Sequence, residues 1–388
     1  MAAIDRVLYL GNATQHRYTS ATVLVPRIFG KIALEEHVGT SIWAKYNFTP
    51  PGNAVTGMPN RSPILPNNTI DTIARLDDVT ERLLSMHNSG VGYVIVSLSA
   101  PGIQGVHSTA SAVTFSTDIN DELYLKYANA YPDKFGFFAA VPMQDPVAAA
   151  SELERAVTVL GAKGAAINGY TDIGPPGNST ARYLDDPINA PFWSKVAALN
   201  VPIYLHPRAP PLSQQLLYNY PNDSLSAYPG LVTAGFGFGA ETAGHALRLM
   251  LSGLFDRHPN IQIILGHAAE GLPFLIHRSD TQLAAETPGN NGPYKRPLRY
   301  YLRNNFYATL SGVRRLSTTQ CTLAEMGEER VLFSVDYPFQ SNEDAADWFD
   351  GVEGLGVETK KKIARGNARR LFNLTVALDE RQVDEDFR

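Results

Sequence analysis

Lys31-Ile32-Ala33-Leu34-Glu35-Glu36-His37 is an apolar run that ends in two carboxylates and an imidazole. Three later stretches repeat the pattern. His206 closes Val201-Pro202-Ile203-Tyr204-Leu205. His267 closes Ile261-Gln262-Ile263-Ile264-Leu265-Gly266. Asp336 closes Val331-Leu332-Phe333-Ser334-Val335. Each run is strand-like, and each places a metal-ligand residue type at its C-terminal end. In a parallel (β/α)8 barrel such ends open onto one face, and that face carries the active site. Strand side chains alternate, so Glu35 and His37 point one way and Glu36 the other.

Working outward, the chain alternates. Strand-like runs fall near 30–35, 92–98, 135–142, 163–168, 201–206, 261–266, 305–310 and 331–335. Helix-like segments lie between them at 70–87, 117–131, 146–159, 188–199, 240–256, 271–286, 317–327 and 342–353. In the first, Ile73, Leu76, Thr80, Leu83 and His87 make a stripe, with Asn88-Ser89-Gly90 as the stop. A last helix spans 357–373, with a break expected near Gly366-Asn367. Eight strands alternating with helices predict an α/β fold, a single (β/α)8 (TIM) barrel. No glycine-rich dinucleotide fingerprint follows the first strand, which disfavours a Rossmann fold. Residues 1–29 read as an appended arm and 30–388 as the barrel. Long proline-rich loops follow the first strand (38–69) and the fifth (207–239, with Gly-Phe-Gly-Phe-Gly at 235–239). Such loops serve as lids or as partner contacts.

Composition narrows the function class. The chain has 388 residues, 44% hydrophobic, with a net charge of −5. That is ample for a core and carries no nucleic-acid footprint. No apolar run is long enough for a bilayer span, and no apolar leader is read at the N-terminus. Cys321 is the single cysteine, so neither an internal disulfide nor a thiolate zinc site is available. The expected compartment is the cytoplasm. The seven Asn-x-Ser/Thr sequons, at Asn12, Asn47, Asn60, Asn67, Asn178, Asn222 and Asn373, are incidental in that reading. A homodimer or homotetramer is expected.

Glu35, His37, His206 and Asp336 together offer two imidazoles and two carboxylates. Such a set suits Zn²⁺ or Mn²⁺, with weakly held Mg²⁺ as a further option. Taken singly, each residue is more often a hydrogen-bonded structural group. It is the four together that point to an ion. Glu270 follows His267 by three residues, a spacing that puts both on one helix face and suits a general acid–base pair. Arg278 lies about two helical turns beyond Glu270. It is placed to hold a substrate carboxylate or to pair with Glu270. In the loop after the second strand, Pro101-Gly102-Ile103-Gln104-Gly105 leads to His107, and Pro101 and His107 are candidate substrate contacts.

Seven stretches carry a family resemblance: Lys31-Ile32-Ala33-Leu34-Glu35-Glu36, Ser99-Ala100-Pro101-Gly102-Ile103-Gln104, Tyr204-Leu205-His206-Pro207, Gly253-Leu254-Phe255-Asp256-Arg257-His258-Pro259, Leu265-Gly266-His267 with Glu270, Phe333-Ser334-Val335-Asp336-Tyr337-Pro338-Phe339, and Gly366-Asn367-Ala368-Arg369-Arg370-Leu371-Phe372. Through them the chain resembles the amidohydrolase superfamily. Within it, the similarity is to the non-oxidative hydroxybenzoate decarboxylases (γ-resorcylate, 2,3-dihydroxybenzoate and salicylate decarboxylases). The resemblance implies a TIM barrel with one divalent ion held by Glu35, His37, His206 and Asp336. His267, Glu270 and Arg278 are then the supporting set. Where the family continues Leu-Gly-His-Leu-Gly-Glu, this chain has His267-Ala268-Ala269-Glu270.

The implied substrate is a small aromatic acid, an ortho-hydroxybenzoate. Protonation of the ring carbon that bears the carboxylate, with Asp336 as donor and His267–Glu270 as proton holders, lets CO2 leave and aromaticity return. No organic cofactor is needed, because the protonated ring is its own electron sink. The alternative on the same ligand set is hydrolysis of a lactone or amide. A non-enzymatic barrel with a degenerate site is the third class, and intact ligands argue against it.

Overall fold

The computed structural model describes residues 27–45, 72, 74–215, 218, 229–286 and 292–377. Eight parallel strands form two sheets. One sheet orders β1 (Lys31–Val38), β2 (Val91–Leu98) and β3 (Phe135–Phe137). The other runs β10 (Val331–Leu332), β9 (Phe306–Thr309), β8 (Ile263–Leu265), β7 (Ile203–His206) and β4 (Ala165–Asn168). Isolated parallel bridges join the sheets at both ends, Ala139 with Ala165 and Glu36 with Tyr337. A small antiparallel hairpin, β5 (Thr171–Ile173) and β6 (Thr180–Arg182), follows β4.

Side-chain alternation divides the apolar core in two. Ile32, Leu34, Tyr93, Ile95, Phe138, Ala166, Tyr204, Ile264, Tyr307 and Leu332 form one buried cluster, with Ala368 and Leu374 from the C-terminal segment packed on it. The alternate strand residues, among them Val94, Val96, Ile167, Leu205, Leu265 and Ala308, join a larger cluster with the helices. Strands buried on both faces explain why they read as near-continuous apolar runs.

All eight expected strands lie where the sequence places them. The helices differ in detail. The first is Val79–Ser89, because the Asp78 side chain accepts from Glu81 N and caps it. Its buried face is Arg82, Ser85, Met86 and Ser89, while Thr80 and His87 are exposed. Ile73 lies outside the described residues. The second helix, Thr109–Leu123, starts eight residues earlier than expected, at a Ser108 cap. The break expected near Gly366 is instead a π-helical turn, Lys362–Gly366, leading into Asn367–Phe372. A helix not expected, Leu298–Asn305, buries Leu298, Tyr301, Leu302 and Asn305.

No helix among the described residues is long and apolar enough to cross a membrane. Residues 1–26 of the arm and 46–69 of the first long loop lie outside the described residues, as do 216–217 and 219–228 of the second. Arg27, within the expected arm, pairs with Asp347 at 2.6 Å. The tail of the second loop is helical, in Gly237–Leu251.

Candidate active site

The C-terminal end of β1 is clamped by the segment that follows β10. Asp336 N donates to Glu35 O at 2.9 Å and His37 N to Tyr337 O at 2.7 Å. The register of β1 shifts between Ala33 and Glu36. There Ser334 Oγ takes up the backbone N–H groups of Leu34 (3.0 Å) and Glu35 (2.6 Å). The side chains part as alternation predicts. Glu36 turns to Ser334 Oγ and Val335 N. Burial pushes its pKa up to about 8, against the pull of Arg82. Glu35 and His37 turn together toward His206 at the end of β7.

Glu35, His37 and His206 each offer a ligand atom, and these atoms lie within 4.8 Å of one another, all three residues buried. Glu35 Oε1 is 3.4 Å from His206 Nε2. The His37 and His206 rings meet edge-on, 4.6 Å between centroids. Asp336 stands against this trio, its Oδ1 3.0 Å from His37 Nε2. Glu35 Oε1 and His37 Nε2 are nonetheless buried without a hydrogen bond. Buried lone pairs left unsatisfied at this spacing fit a divalent cation.

His267 and Glu270 are joined, Nδ1 to Oε1, at 2.7 Å. The spacing works, but not through an ordinary helix. His267, Ala268, Ala269 and Glu270 all have positive φ (48, 59, 62 and 54°), and Gly271 follows at 77°. They form one left-handed turn. It aims His267 Nε2 back at Glu35 Oε1 (3.7 Å) and Asp336 Oδ2 (3.8 Å). Burial opposes charge on His267, but the carboxylates of Glu35, Glu270 and Asp336 outweigh it and hold the pKa well above the usual imidazole range. For Asp336, burial acts upward, and the neighbouring His267 and His37 overcome it and hold the carboxyl below its ordinary value. Burial, and after it the neighbouring His37, drives the His206 pKa well below the usual imidazole range.

Arg278 lies on the right-handed helix Leu272–Glu286, which starts only after the left-handed turn. A face counted from Glu270 does not continue across that change of hand, and Arg278 is exposed. His107 Nδ1 lies 3.0 Å from Gly174 O in the β5–β6 hairpin. Pro101 is half-buried in the loop after β2. Among the described contacts, none joins Pro101, His107 or Arg278 to the Glu35 cluster.

The sequence reading passed over several groups here. Tyr204, Thr309 and Ser311 surround Glu35 Oε2. Asn168, paired in register with His206, is buried with its Oδ1 unpartnered. The available signals were position and, for Tyr204, its place in the Tyr204-Leu205-His206-Pro207 stretch, two residues before His206 on the same strand; Asn168 ends its strand.

The Amidohydrolase family model matches residues 70–374. The γ-resorcylate decarboxylase of Rhodococcus jostii (strain RHA1) is 40% identical over 348 residues, covering 89% of this chain and 99% of that protein. Among solved structures, a dihydroxybenzoic acid decarboxylase from Polaromonas sp. JS666, with bound manganese and the inhibitor 2-nitroresorcinol, aligns with a TM-score of 0.78 at 38% identity. It covers 90% of this chain and 98% of that one. The 5-carboxyvanillate decarboxylase of Novosphingobium aromaticivorans, complexed with manganese and a nitrobenzoic acid, gives 0.78 at 32% identity, covering 89% and 96%.

Proposed function

Because the chain belongs to the amidohydrolase family, we propose that it is a metal-dependent, non-oxidative decarboxylase of an ortho-hydroxybenzoate, with 2,6-dihydroxybenzoate (γ-resorcylate) the first substrate to try. The observation that carries this reading is the buried convergence of Glu35, His37 and His206 beside Asp336 and the His267–Glu270 pair. The relatives' names and the manganese in their structures support it. The two sheets and the bridges between them support a closed (β/α)8 barrel. We keep residues 1–29 as an arm on that barrel. The cytoplasm is the compartment we propose, on the single cysteine.

Glu35, His37, His206 and Asp336 would hold one divalent ion, Zn²⁺ or Mn²⁺, with Mg²⁺ the weaker fit. When bound, it supplies positive charge that stabilises a phenolate. The protein's own groups handle the proton. His267, tied to Glu270, holds one at Nε2 and faces Asp336 Oδ2. Asp336 gives a proton to the ring carbon that bears the carboxylate. The bond to that carboxylate then breaks, its electron pair returns to the ring, and CO2 leaves. Like-charge repulsion from an anionic substrate opposes the low Asp336 pKa set by the two histidines. Pro101, His107 and Arg278 remain the proposed substrate contacts. Phe274, 82% exposed, lies with Leu275 on the helix of Arg278, which supports a homodimer or homotetramer that covers this helix.

The test is CO2 release from a panel of 2,6-dihydroxybenzoate, 2,3-dihydroxybenzoate and salicylate, with Mn²⁺ or Zn²⁺ supplied. Release from at least one, abolished by chelation, is expected. Lactone hydrolysis with no CO2 from any of them moves the chain to the hydrolase reading.

A further inference from the structure

Glu35 reaches the ligand cluster with one oxygen. Its Oε1 faces His206 and His267 without a hydrogen bond. Its Oε2 is turned the other way, into three buried hydroxyls. Tyr204 donates to it at 2.7 Å, Ser311 donates at close range, and Thr309 Oγ1 lies at 3.4 Å. A carboxylate this enclosed has little room to rotate. A Cβ at Gly266 would already stand 2.7 Å from Oε2.

Counting protons gives these contacts a direction. Each hydroxyl has one proton to give. Tyr204 and Ser311 spend theirs on Glu35. Thr309 is nearer to Ser311 Oγ, at 2.8 Å, than to Glu35, so its proton goes to Ser311. Ser311 Oγ also accepts the backbone N–H of His267, at 3.2 Å. One serine oxygen therefore couples the carboxylate to the left-handed turn that carries the acid–base pair.

We infer that Tyr204 and Ser311, with Thr309 behind them, are positioning residues that lock Glu35 Oε2, restrict Glu35 to a one-oxygen contact with a divalent ion and thereby bias the site against Ca²⁺. The inference rests on the metal site proposed above. Ca²⁺ takes six to eight oxygens, often with a carboxylate that binds through both of its own. Mn²⁺ and Zn²⁺ accept imidazoles and single oxygens. Tying up Oε2 removes the second oxygen and fixes the direction of the first. Outer contacts of this kind typically contribute about 10–100-fold in metal affinity.

The experiment titrates the full chain with Mn²⁺, followed by electron paramagnetic resonance, and then displaces the Mn²⁺ with Ca²⁺. Tyr204→Phe and Ser311→Ala should each weaken Mn²⁺ binding by about 10–100-fold. The double variant should let Ca²⁺ compete better than in wild type. Thr309→Ser keeps its hydroxyl and should bind Mn²⁺ as wild type does. Thr309→Val leaves both direct donors and should show the smallest loss among the hydroxyl deletions. Unchanged Mn²⁺ affinity and Ca²⁺ discrimination in Tyr204→Phe and Ser311→Ala, with normal melting, overturns the inference. So does a Thr309→Val loss larger than theirs. If wild type itself binds no Mn²⁺, it is the metal site that fails, whereas normal wild-type binding with unaltered variants sinks only the role given to the hydroxyls.

Discussion

The proposed site is built from two kinds of backbone. Glu35, His37 and His206 ride on the extended strands β1 and β7. His267, Glu270 and Asp336 sit where φ is positive, Asp336 at 80°. An extended strand places alternate groups on one side without strain. A non-glycine residue in the left-handed region costs about 1–2 kcal/mol. The candidate metal ligands thus come mostly from regular structure, and the proposed proton-handling groups from strained structure. The left-handed turn bends the chain back at once and keeps His267 Nε2 within 4 Å of both Glu35 and Asp336. Ser311 and the packing of Ala268 and Ala269 hold it there.

That contrast is most open to breaking at its two histidines. His206→Ala removes a group from the strand set and should abolish Mn²⁺ binding and activity together. His267→Ala removes one from the strained set. It should keep near-stoichiometric metal and lose about 10²–10⁴-fold in kcat. Metal analysis beside CO2 release reads both. Equal metal loss in the two variants would erase the division of roles.

Asp336 belongs to both sets, and Asp336→Asn separates its duties. The amide keeps one oxygen but has no proton to give. We expect retained metal and substrate binding, with CO2 release down by about 10²–10⁴-fold. Exchange of the phenol product's ortho hydrogen with deuterated solvent should fall equally, because one acid serves both directions. Normal exchange in the variant would move the proton to His267.

The same division explains what the sequence could tell. The eight strands were legible as apolar runs alternating with helix-like segments, and Glu35, His37, His206 and Asp336 were legible because they close three of those runs. The β5–β6 hairpin was not: three-residue strands around Gly174-Pro175-Pro176-Gly177 leave no alternation to read. The left-handed turn was hidden by its alanines, which favour right-handed helix. The spacing of three between His267 and Glu270 was sound for a reason of the opposite hand. Thr309 and Ser311 carry no motif, and Tyr204, though inside the Tyr204-Leu205-His206-Pro207 stretch, gives no sign of its target, since the common target exists only once β1, β7 and β9 are brought together.

A third histidine calibrates His206. His245 is as buried, in the helix Gly237–Leu251, yet its Nε2 accepts from Leu184 N at 3.0 Å and faces no cluster. Burial, and secondarily Arg248, lowers its pKa from 6.5 to about 3. The unfolded chain therefore takes up a proton that the folded chain refuses. Its stabilising effect is complete above pH 6.5 and is lost as pH falls toward 3, at about 1.4 kcal/mol per pH unit. His245→Gln keeps an acceptor and does not titrate. Its urea-unfolding free energy should fall less steeply over that window than wild type's. Parallel slopes would show that His245 is not held neutral by the fold.

The smallest effect tests the cost of the strained region itself. Ala269 has φ 62°, where a side chain is disfavoured and glycine is not. Ala269→Gly should relieve about 1–2 kcal/mol of strain in the folded state. It also frees the unfolded chain, which returns about 0.4–1 kcal/mol of that gain. Ala269 is fully buried, so the lost methyl costs a further ~0.8 kcal/mol, and the net expectation is a stability within about 1 kcal/mol of wild type, with the His267–Glu270 geometry intact. Activity is the sharper reading. If the turn is held by Ser311 and its packing, kcat stays near wild type. If the alanine side chains themselves stiffen the turn, stability holds while kcat falls, because the imidazole then wanders from Asp336. A drop of more than about 1 kcal/mol, the sum of the lost methyl and the freed unfolded chain with no strain to offset them, would mean that Ala269 is not strained in the folded protein, and the contrast between the two backbones would lose its energetic basis.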